Sequence, residues 1–353
     1  MKEIVVSGIR PTGNLHLGNY FGALRNFVKM QDDYDCRFFV ADLHALTTQP
    51  DPKALHTNAK NILAEYIAAG LDPEKATIFV QSDVPEISEM YLLMNMHAGI
   101  GELMRTPAFK DKARKALGIK VDSNATDDAI EHEIIGTDSN KRVNAGLLTY
   151  PTLMAVDILI QRAKKVPVGK DQEQHVELTR RFARRFNAFY GTDLLVEPEA
   201  FNFGAAGVKV PGLDGSGKMG KSEGNCIYLI DEEKPLRKKV MRAVTDEGPK
   251  APDSPMSEAV ANLFTLLELT STPDVVAHFR QAYADCSIRY GDLKKQLADD
   301  IVALTTPIRQ RILDIQANDE MLSRIVREGG ERARATAADT LAKVKEVMGI
   351  KKF

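Results

Sequence analysis

Two short segments of the chain carry residues suited to phosphate chemistry. Gly215-Ser216-Gly217-Lys218-Met219-Gly220-Lys221-Ser222-Glu223-Gly224 sets two lysines among four glycines. Glycine at that density opposes regular structure and permits movement. The lysines can therefore close on a transferring phosphoryl group and its pyrophosphate leaving group as charge develops. The order of a P-loop, with Gly, four residues and then Gly-Lys-Ser/Thr, is absent. A solvated linker between domains has the same composition. The second segment is Pro11-Thr12-Gly13-Asn14-Leu15-His16-Leu17-Gly18-Asn19. It lies between a strand signal and a helix signal, where a helix N-terminus offers free N–H groups to an anion. Gly18 permits close backbone approach, and His16 and Asn19 add side-chain donors. An ordinary turn with a solvent-exposed His fits the same spacing.

A third constellation concerns a carboxylate. In Tyr150-Pro151-Thr152-Leu153-Met154-Ala155-Val156-Asp157-Ile158-Leu159, helical spacing puts Tyr150, Met154 and Asp157 on one face. A carboxylate among Met, Ile and Leu is costly to bury unless it accepts hydrogen bonds. A donor-only indole N–H would suit it, and the flat ring would suit Met154. A core helix whose Asp pairs with a basic side chain is the other reading.

The elements that must position these residues alternate. Ile4-Val5-Val6, Cys36–Ala41, Ala76–Val80 and Lys165–Val168 read as strands. Helical patterns run from Gly18 to Met30, from Asp51 to Gly70, from Glu86 to His97, from Ala145 to Arg162 and from Asp171 to Tyr190. Strands separated by helices predict an α/β fold, a doubly wound parallel (Rossmann-like) sheet. Ligands then bind at the carboxyl edge of the strands, where the first segment falls. Lys112–Val143 is polar and reads as an exposed helical or loop insertion, set at about residues 113–144. After Tyr228 the pattern is all helical. Leu293, Leu297, Ile301, Leu304, Ile308 and Ile312 form one apolar stripe, and a last helix, Met321–Gly349, carries a break at Gly329-Gly330. The expected division is therefore 1–228, holding the lysine loop at 215–224, and a helical domain 229–353 whose last helix could pack back on the first.

Composition bounds the function. At 353 residues, with 44% apolar and 27% charged residues, the chain is an ordinary globular one of two domains. No stretch reaches the about 18–20 apolar residues of a membrane span, and the N-terminus lacks the apolar core of a signal peptide. Cys36, Cys226 and Cys286 are scattered without metal-site spacing, which fits a reducing cytoplasm. A net charge of −2 excludes blanket nucleic-acid binding, so such contact needs a local patch. Tryptophan is absent from the chain.

Taken together, His16-Leu17-Gly18-Asn19 and Lys218-Met219-Gly220-Lys221-Ser222 resemble the His-Ile-Gly-His and Lys-Met-Ser-Lys-Ser signatures of class I aminoacyl-tRNA synthetases. The chain is similar to the bacterial tryptophanyl-tRNA synthetases in six further blocks, in family order. They are Ser7–Gly13, Gly18–Tyr20, Asp42–Ala45, Gly101–Arg105, Ala145–Pro151 and Val166–Gln172. The resemblance covers about residues 4–246, with a compatible helical tail.

The resemblance implies tryptophan–tRNA ligation: L-tryptophan and MgATP give tryptophanyl-adenylate and pyrophosphate, and the acyl group passes to the terminal adenosine of tRNA(Trp). By it, Asp157 receives the indole N–H, with Tyr150, Met154, His44, Val166, Val168 and Gln172 around the ring. ATP is implied at Arg10, Pro11, Thr12, His16, Gly18, Asn19, Gly169, Lys170, Asp171 and Val210, and at Lys218, Met219, Gly220, Lys221 and Ser222. His16, Asn19, Lys218, Lys221 and Ser222 are the catalytic set, and Mg²⁺ is held by phosphates and water. Lys110 and Lys112 fit phosphate contacts and a solvated face alike. The helical domain faces tRNA with basic residues such as Arg309, Arg311, Arg324, Arg327, Arg332, Lys343, Lys345, Lys351 and Lys352, and the family works as a homodimer.

The chain departs from the family in three places. Arg10 stands where Gln is usual, Gly220 replaces the middle Ser, and the insertion Ala113–Asn144 is longer and is expected not to touch the indole. A tyrosyl-tRNA synthetase shares the signatures but not the blocks. A non-catalytic paralogue is favoured only by Arg10 and Gly220.

Overall fold

A computed structural model of the chain describes residues 2–117, 143–169, 172–201 and 209–350. Five strands, β1 (Ile4–Ile9), β2 (Asp35–Val40), β3 (Thr77–Val80), β4 (Lys165–Pro167) and β5 (Glu199–Phe201), form one sheet in the order β3-β2-β1-β4-β5. All its pairings are parallel, with Ile4 opposite Asp35 and Ile9 opposite Val40. The order reverses between β1 and β4, so the crevice of such a sheet opens at their carboxyl ends.

The first helical run is α1 (Leu17–Asn19), a π-helical turn over Tyr20–Leu24, and α2 (Arg25–Met30). Next come α3 (Asp42–Ala45), α4 (Pro52–Ala68), α5 (Pro85–Asn95), α6 (Ile100–Met104) and α7 (Pro107–Leu117). They are followed by α8 (Ala145–Ile160) and α9 (Glu173–Tyr190). The helical remainder is α10 (Glu233–Met241), α11 (Glu258–Thr270), α12 (Pro273–Ala284), α13 (Tyr290–Gln316) and α14 (Asp319–Val347). Helix starts follow local chemistry. Asp51, Asn144, Ser257 and Asn318 each accept an N–H of the turn that they open, which satisfies a donor that the helix leaves free.

Apolar side chains cover both faces of the sheet. One core joins Phe27, stacked on Phe38 at 4.3 Å, to Ile227, Leu229 and the buried stripe of α13. In that stripe Leu293, Leu297, Ile301, Ile308 and Ile312 are buried. Leu304 is only half-buried, and Thr305 is buried beside it, donating to Ile301 O at 2.8 Å. The other core packs α5, α8 and α9 with Ala333, Ala337, Leu341 and Val344 of α14.

The expected break at Gly329-Gly330 does not occur; α14 runs through both glycines. Contact, not flexibility, explains Gly329, whereas a Cβ at Gly330 would meet Asp83 only at an ordinary 3.6 Å. A Cβ on Gly329 would stand 1.8 Å from the carbonyl oxygen of Ile78 in β3, so glycine lets the helix lie directly on the sheet backbone. Gly329→Ala should cost about 3 kcal/mol, because the obstacle is backbone and cannot turn aside. A urea midpoint unchanged from the parent would contradict this.

Candidate active site

The carboxyl ends of β1 and β4 frame a cleft of about 540 Å³. Its wall is Val6 to Arg10 on one side and Val166 to Gly169 on the other, with α8 forming the floor through Tyr150, Met154 and Asp157. Arg10, Thr12, His44, Val166, Val168, Gly169 and Gln172, all singled out from the sequence, line this one cleft. The predicted shared face of Tyr150, Met154 and Asp157 is therefore turned toward it.

Asp157 is 3% exposed. His44 Nε2 lies 2.9 Å from its Oδ2. Gln81 Nε2 donates to Oδ1 and Oδ2 at 2.8 and 2.9 Å. The amide is oriented from behind, because Gln81 Oε1 accepts the His44 N–H at 3.3 Å. These contacts are what make the buried charge tolerable. Burial pushes the Asp157 carboxyl upward, while the His44 and Gln81 hydrogen bonds pull it down; burial is the larger effect. A carboxylate can accept about four hydrogen bonds, so capacity for one incoming donor remains.

Gln81 was missed from sequence. It directly follows β3, and a polar residue at the carboxyl end of a buried strand was the available signal. His175 was missed too. Its Nε2 lies 3.2 Å from the Tyr150 hydroxyl, one turn into α9 from Gln172.

Lys112 departs from the exposed insertion expected there. It sits on α7 with its ammonium 3.2 Å from the Tyr150 ring centroid, a cation–π contact. Burial, and then the nearby Arg10 charge, push its pKa down to about 8. Lys110 is half-buried and does not line the cleft. The insertion begins as helix, with Ala113 buried against Phe109, which precedes it; its residues 118–142 lie outside the described residues. Lys170 and Asp171 do as well.

The first turn reaches the cleft at Arg10 and Thr12, and it meets the lysine loop from Gly13 to Gly18, beside the lining. The Thr12 N–H donates to Arg10 O at 2.8 Å and turns the chain at Pro11. His16 is 7% exposed, not solvated, and its N–H donates to Asn19 Oδ1 at 3.1 Å. Its Nδ1 is buried without a hydrogen-bond partner. Burial, with the charges of Lys221 and Lys218, pushes His16 down to about 4, so its ring is neutral at pH 7. A Cβ at Gly18 would fall 2.7 Å from the His16 ring and 3.6 Å from Met219 Cβ. A side chain there would have to displace the His16 ring, while the loop residue Met219 stands at ordinary contact distance.

The lysine loop is pinned rather than free. The Met219 N–H donates to Val210 O at 2.8 Å, and the Gly220 N–H donates to Asn225 Oδ1 at 2.9 Å. Asn225 in turn donates to Asp214 at 2.9 Å. Lys221 Nζ donates to Gly13 O at 2.8 Å. Lys218 is exposed, and the Ser222 hydroxyl bonds Glu223 at 3.1 Å. Among the described residues, no group of three or more His, Cys, Asp or Glu stands together as a metal site.

Several basic side chains of the helical part are engaged within the fold. Arg309 donates to Ile230 O, Arg311 to Ala68 O and Arg332 to Pro73 O. Lys343 and Lys345 pair with Asp339 and Glu89. Lys351 and Lys352 lie outside the described residues.

A family model described as class I tRNA synthetases for tryptophan and tyrosine (W and Y) matches residues 2–306. A tryptophan–tRNA ligase of Porphyromonas gingivalis is 60% identical over 349 residues, 99% of this chain and 100% of that one. Another, from Caldanaerobacter subterraneus subsp. tengcongensis, is 40% identical over 98% of both chains. Among solved structures, a tryptophanyl-tRNA synthetase of Campylobacter jejuni complexed with ADP and tryptophan superposes with a TM-score of 0.82. It is 30% identical over 98% of this chain and 99% of that one.

Proposed function

The chain belongs to the class I tRNA synthetases for tryptophan and tyrosine, and we infer from that premise and from the cleft that it is the ligase that joins tryptophan to tRNA. The observation that carries the choice of amino acid is Asp157, a buried carboxylate facing the cleft with one acceptor position left. An indole N–H fills that position. Tyr150, Met154, Val166, Val168 and Gln172 surround the ring, and His44 and Gln81 keep the carboxylate aimed. A phenol would bring a group that also accepts, and a phenyl ring would leave the remaining acceptor position empty.

The reaction needs no protein nucleophile. The tryptophan carboxylate attacks the α-phosphorus of ATP in line, pyrophosphate departs, and the acyl group then passes to the terminal adenosine of tRNA(Trp). The enzyme supplies position and charge. Arg10, Pro11, Thr12, Gly18 and Asn19 receive the nucleotide at the first turn, with Gly169, Lys170 and Asp171 on its adenosine side and Val210 beneath the lysine loop. Neutral His16 donates to phosphate oxygen instead of adding charge. Lys218, Met219, Gly220, Lys221 and Ser222 close on the triphosphate, and Lys112 adds a cation in the cleft lining, over Tyr150. Mg²⁺ enters with the nucleotide and keeps phosphate oxygens and water as ligands. Tryptophan-dependent exchange of pyrophosphate into ATP tests the reading. Exchange with tyrosine instead, or with no amino acid, would defeat it.

Residues 1–228 then form the catalytic part and 229–353 the part that meets tRNA, through basic groups such as Arg324 and Arg327. No helix among the described residues is long and apolar enough to cross a membrane. The unpaired thiols of Cys36, Cys226 and Cys286 favour a reducing cytoplasm, which cell fractionation checks. An exposed apolar patch supports the homodimer. Leu92, Met96, Ile100 and Phe189 are 58–73% exposed, and they lie on adjoining segments joined by the Arg185–Glu102 ion pair and the His97–Phe189 contact. Such a patch calls for cover. Ile100→Glu should give single chains in sedimentation where the parent sediments as a pair; an unchanged pair would remove the patch from the interface.

A further inference from the structure

One buried side chain ties the lysine loop together. Asn225 is 5% exposed. Its Oδ1 accepts the Gly220 N–H at 2.9 Å. Its Nδ2 donates to Asp214 Oδ1 at 2.9 Å, to Ser216 Oγ at 3.0 Å and to Lys218 O at 3.2 Å. The Ser216 hydroxyl in turn donates to Asp214 Oδ1 at 2.6 Å. The Gly220 N–H can only donate and Lys218 O can only accept, so the amide has one orientation. A carboxylate in its place could not donate to Lys218 O, and an apolar side chain would leave both backbone groups to water.

The space for this amide is built into the chain. A Cβ on Gly212 would stand 2.1 Å from Asn225 Nδ2 and 2.7 Å from its Cγ. Gly212 is itself held, its N–H donating to Ser216 O at 3.0 Å, and the Leu213 N–H donates to Asn225 O at 3.3 Å. From α11, Asn262 donates to Gly215 O at 2.9 Å and to Ser216 O at 3.1 Å.

The contacts of the amide with Lys218 O and the Gly220 N–H bracket Met219. That side chain is buried, with its Cβ 3.6 Å from the place of a Cβ on Gly18, so it is seated against the first turn. The turn is fixed from α4, where buried Glu65 accepts the Leu15 N–H at 2.9 Å. Lys218 and Lys221 thus leave on either side of a seated residue. A glycine-rich loop without this clamp would have to order both ammoniums as the triphosphate arrives, at an entropic cost. We propose that Asn225 is a positioning residue for adenylate formation: it makes Lys218-Met219-Gly220 one rigid unit, so that Lys218 and Lys221 meet the triphosphate in a fixed relation. The proposal rests on the assignment of those lysines to the phosphates.

Kinetics test it. Asn225→Ala should lower kcat for tryptophan-dependent pyrophosphate exchange roughly ten-fold, the cost of misplacing groups that act in the transition state. Tryptophan affinity, read from the fluorescence of the bound ligand, should stay within about two-fold. In the Lys221→Ala background the same substitution should cost less than about three-fold, because one ammonium is no longer there to be placed. Gly212→Ala displaces the amide from outside and does not depend on Asn225→Ala folding. Alone it should lower kcat roughly ten-fold; in Asn225→Ala it should cost less than about two-fold, since its methyl group then has room and exposed Asp214 can turn aside. A parent-like kcat in both Asn225→Ala and Gly212→Ala overturns the proposal. So does an equal loss in the parent and Lys221→Ala backgrounds, or a tryptophan affinity that falls as far as kcat, since an amide that only supports the fold would give either. A parent-like kcat in Lys218→Ala and Lys221→Ala alike would instead overturn the assignment of the lysines.

Discussion

Replacing Lys221 by alanine lowers kcat for tryptophan-dependent pyrophosphate exchange by roughly 10²–10³, the cost of removing one preorganised charge from a transition state. Tryptophan affinity stays within about two-fold, because this lysine does not touch the amino acid. The geometry explains the separation. Lys221 stands on Gly13 O at 2.8 Å, beside the cleft and outside its lining, so its contribution comes only when the loop advances onto phosphate. The chain contains no tryptophan, so the fluorescence of bound tryptophan is the only indole signal and reports affinity directly. An unchanged kcat would place the phosphate charge elsewhere, at Lys218 or Lys112.

Asp157→Asn should lower the preference for tryptophan over tyrosine by roughly 10²-fold in kcat/KM, since discrimination rests on a charged acceptor matched to the donor-only indole rather than to a phenol that also accepts. The substitution is close in shape and opposite in chemistry. His44 and Gln81 both donate to this side chain. An asparagine NH₂ would face one of those donors, and the oxygen that it keeps would no longer be charged. His44 and Gln81 would also lose their common acceptor, so the ring wall should loosen. Identical tryptophan-to-tyrosine ratios in parent and variant would defeat the role given to Asp157.

Much of this site could be read from the chain, for a local reason. Helical spacing alone puts Tyr150, Met154 and Asp157 on one face, and strand–helix alternation puts the first turn at the carboxyl edge of the sheet. What could not be read depends on contacts distant in sequence. Gly329 looked like a helix break, because nothing nearby reveals that it lies against Ile78 O. β5 is three residues, Glu199–Phe201, with two of them exposed, too short for any alternation to register. Lys112 belonged to a polar run until the fold laid it over Tyr150. Gln81 and Glu65 are single polar residues beside apolar runs, and only the packing of β3 and α4 identifies what they hold.

The hydrogen bond from indole to Asp157 is open to a direct measurement. The benzothiophene analogue of L-tryptophan has sulfur in place of the N–H and nearly the same shape. Exchange kinetics with the parent should favour tryptophan over this analogue by roughly 10–10²-fold in kcat/KM, the size of a hydrogen bond to a charged group. In Asp157→Asn, whose neutral oxygen is the weaker acceptor, that ratio should fall by roughly ten-fold. A ratio that is the same in both proteins would contradict the account, because the carboxylate would then not be reading the indole.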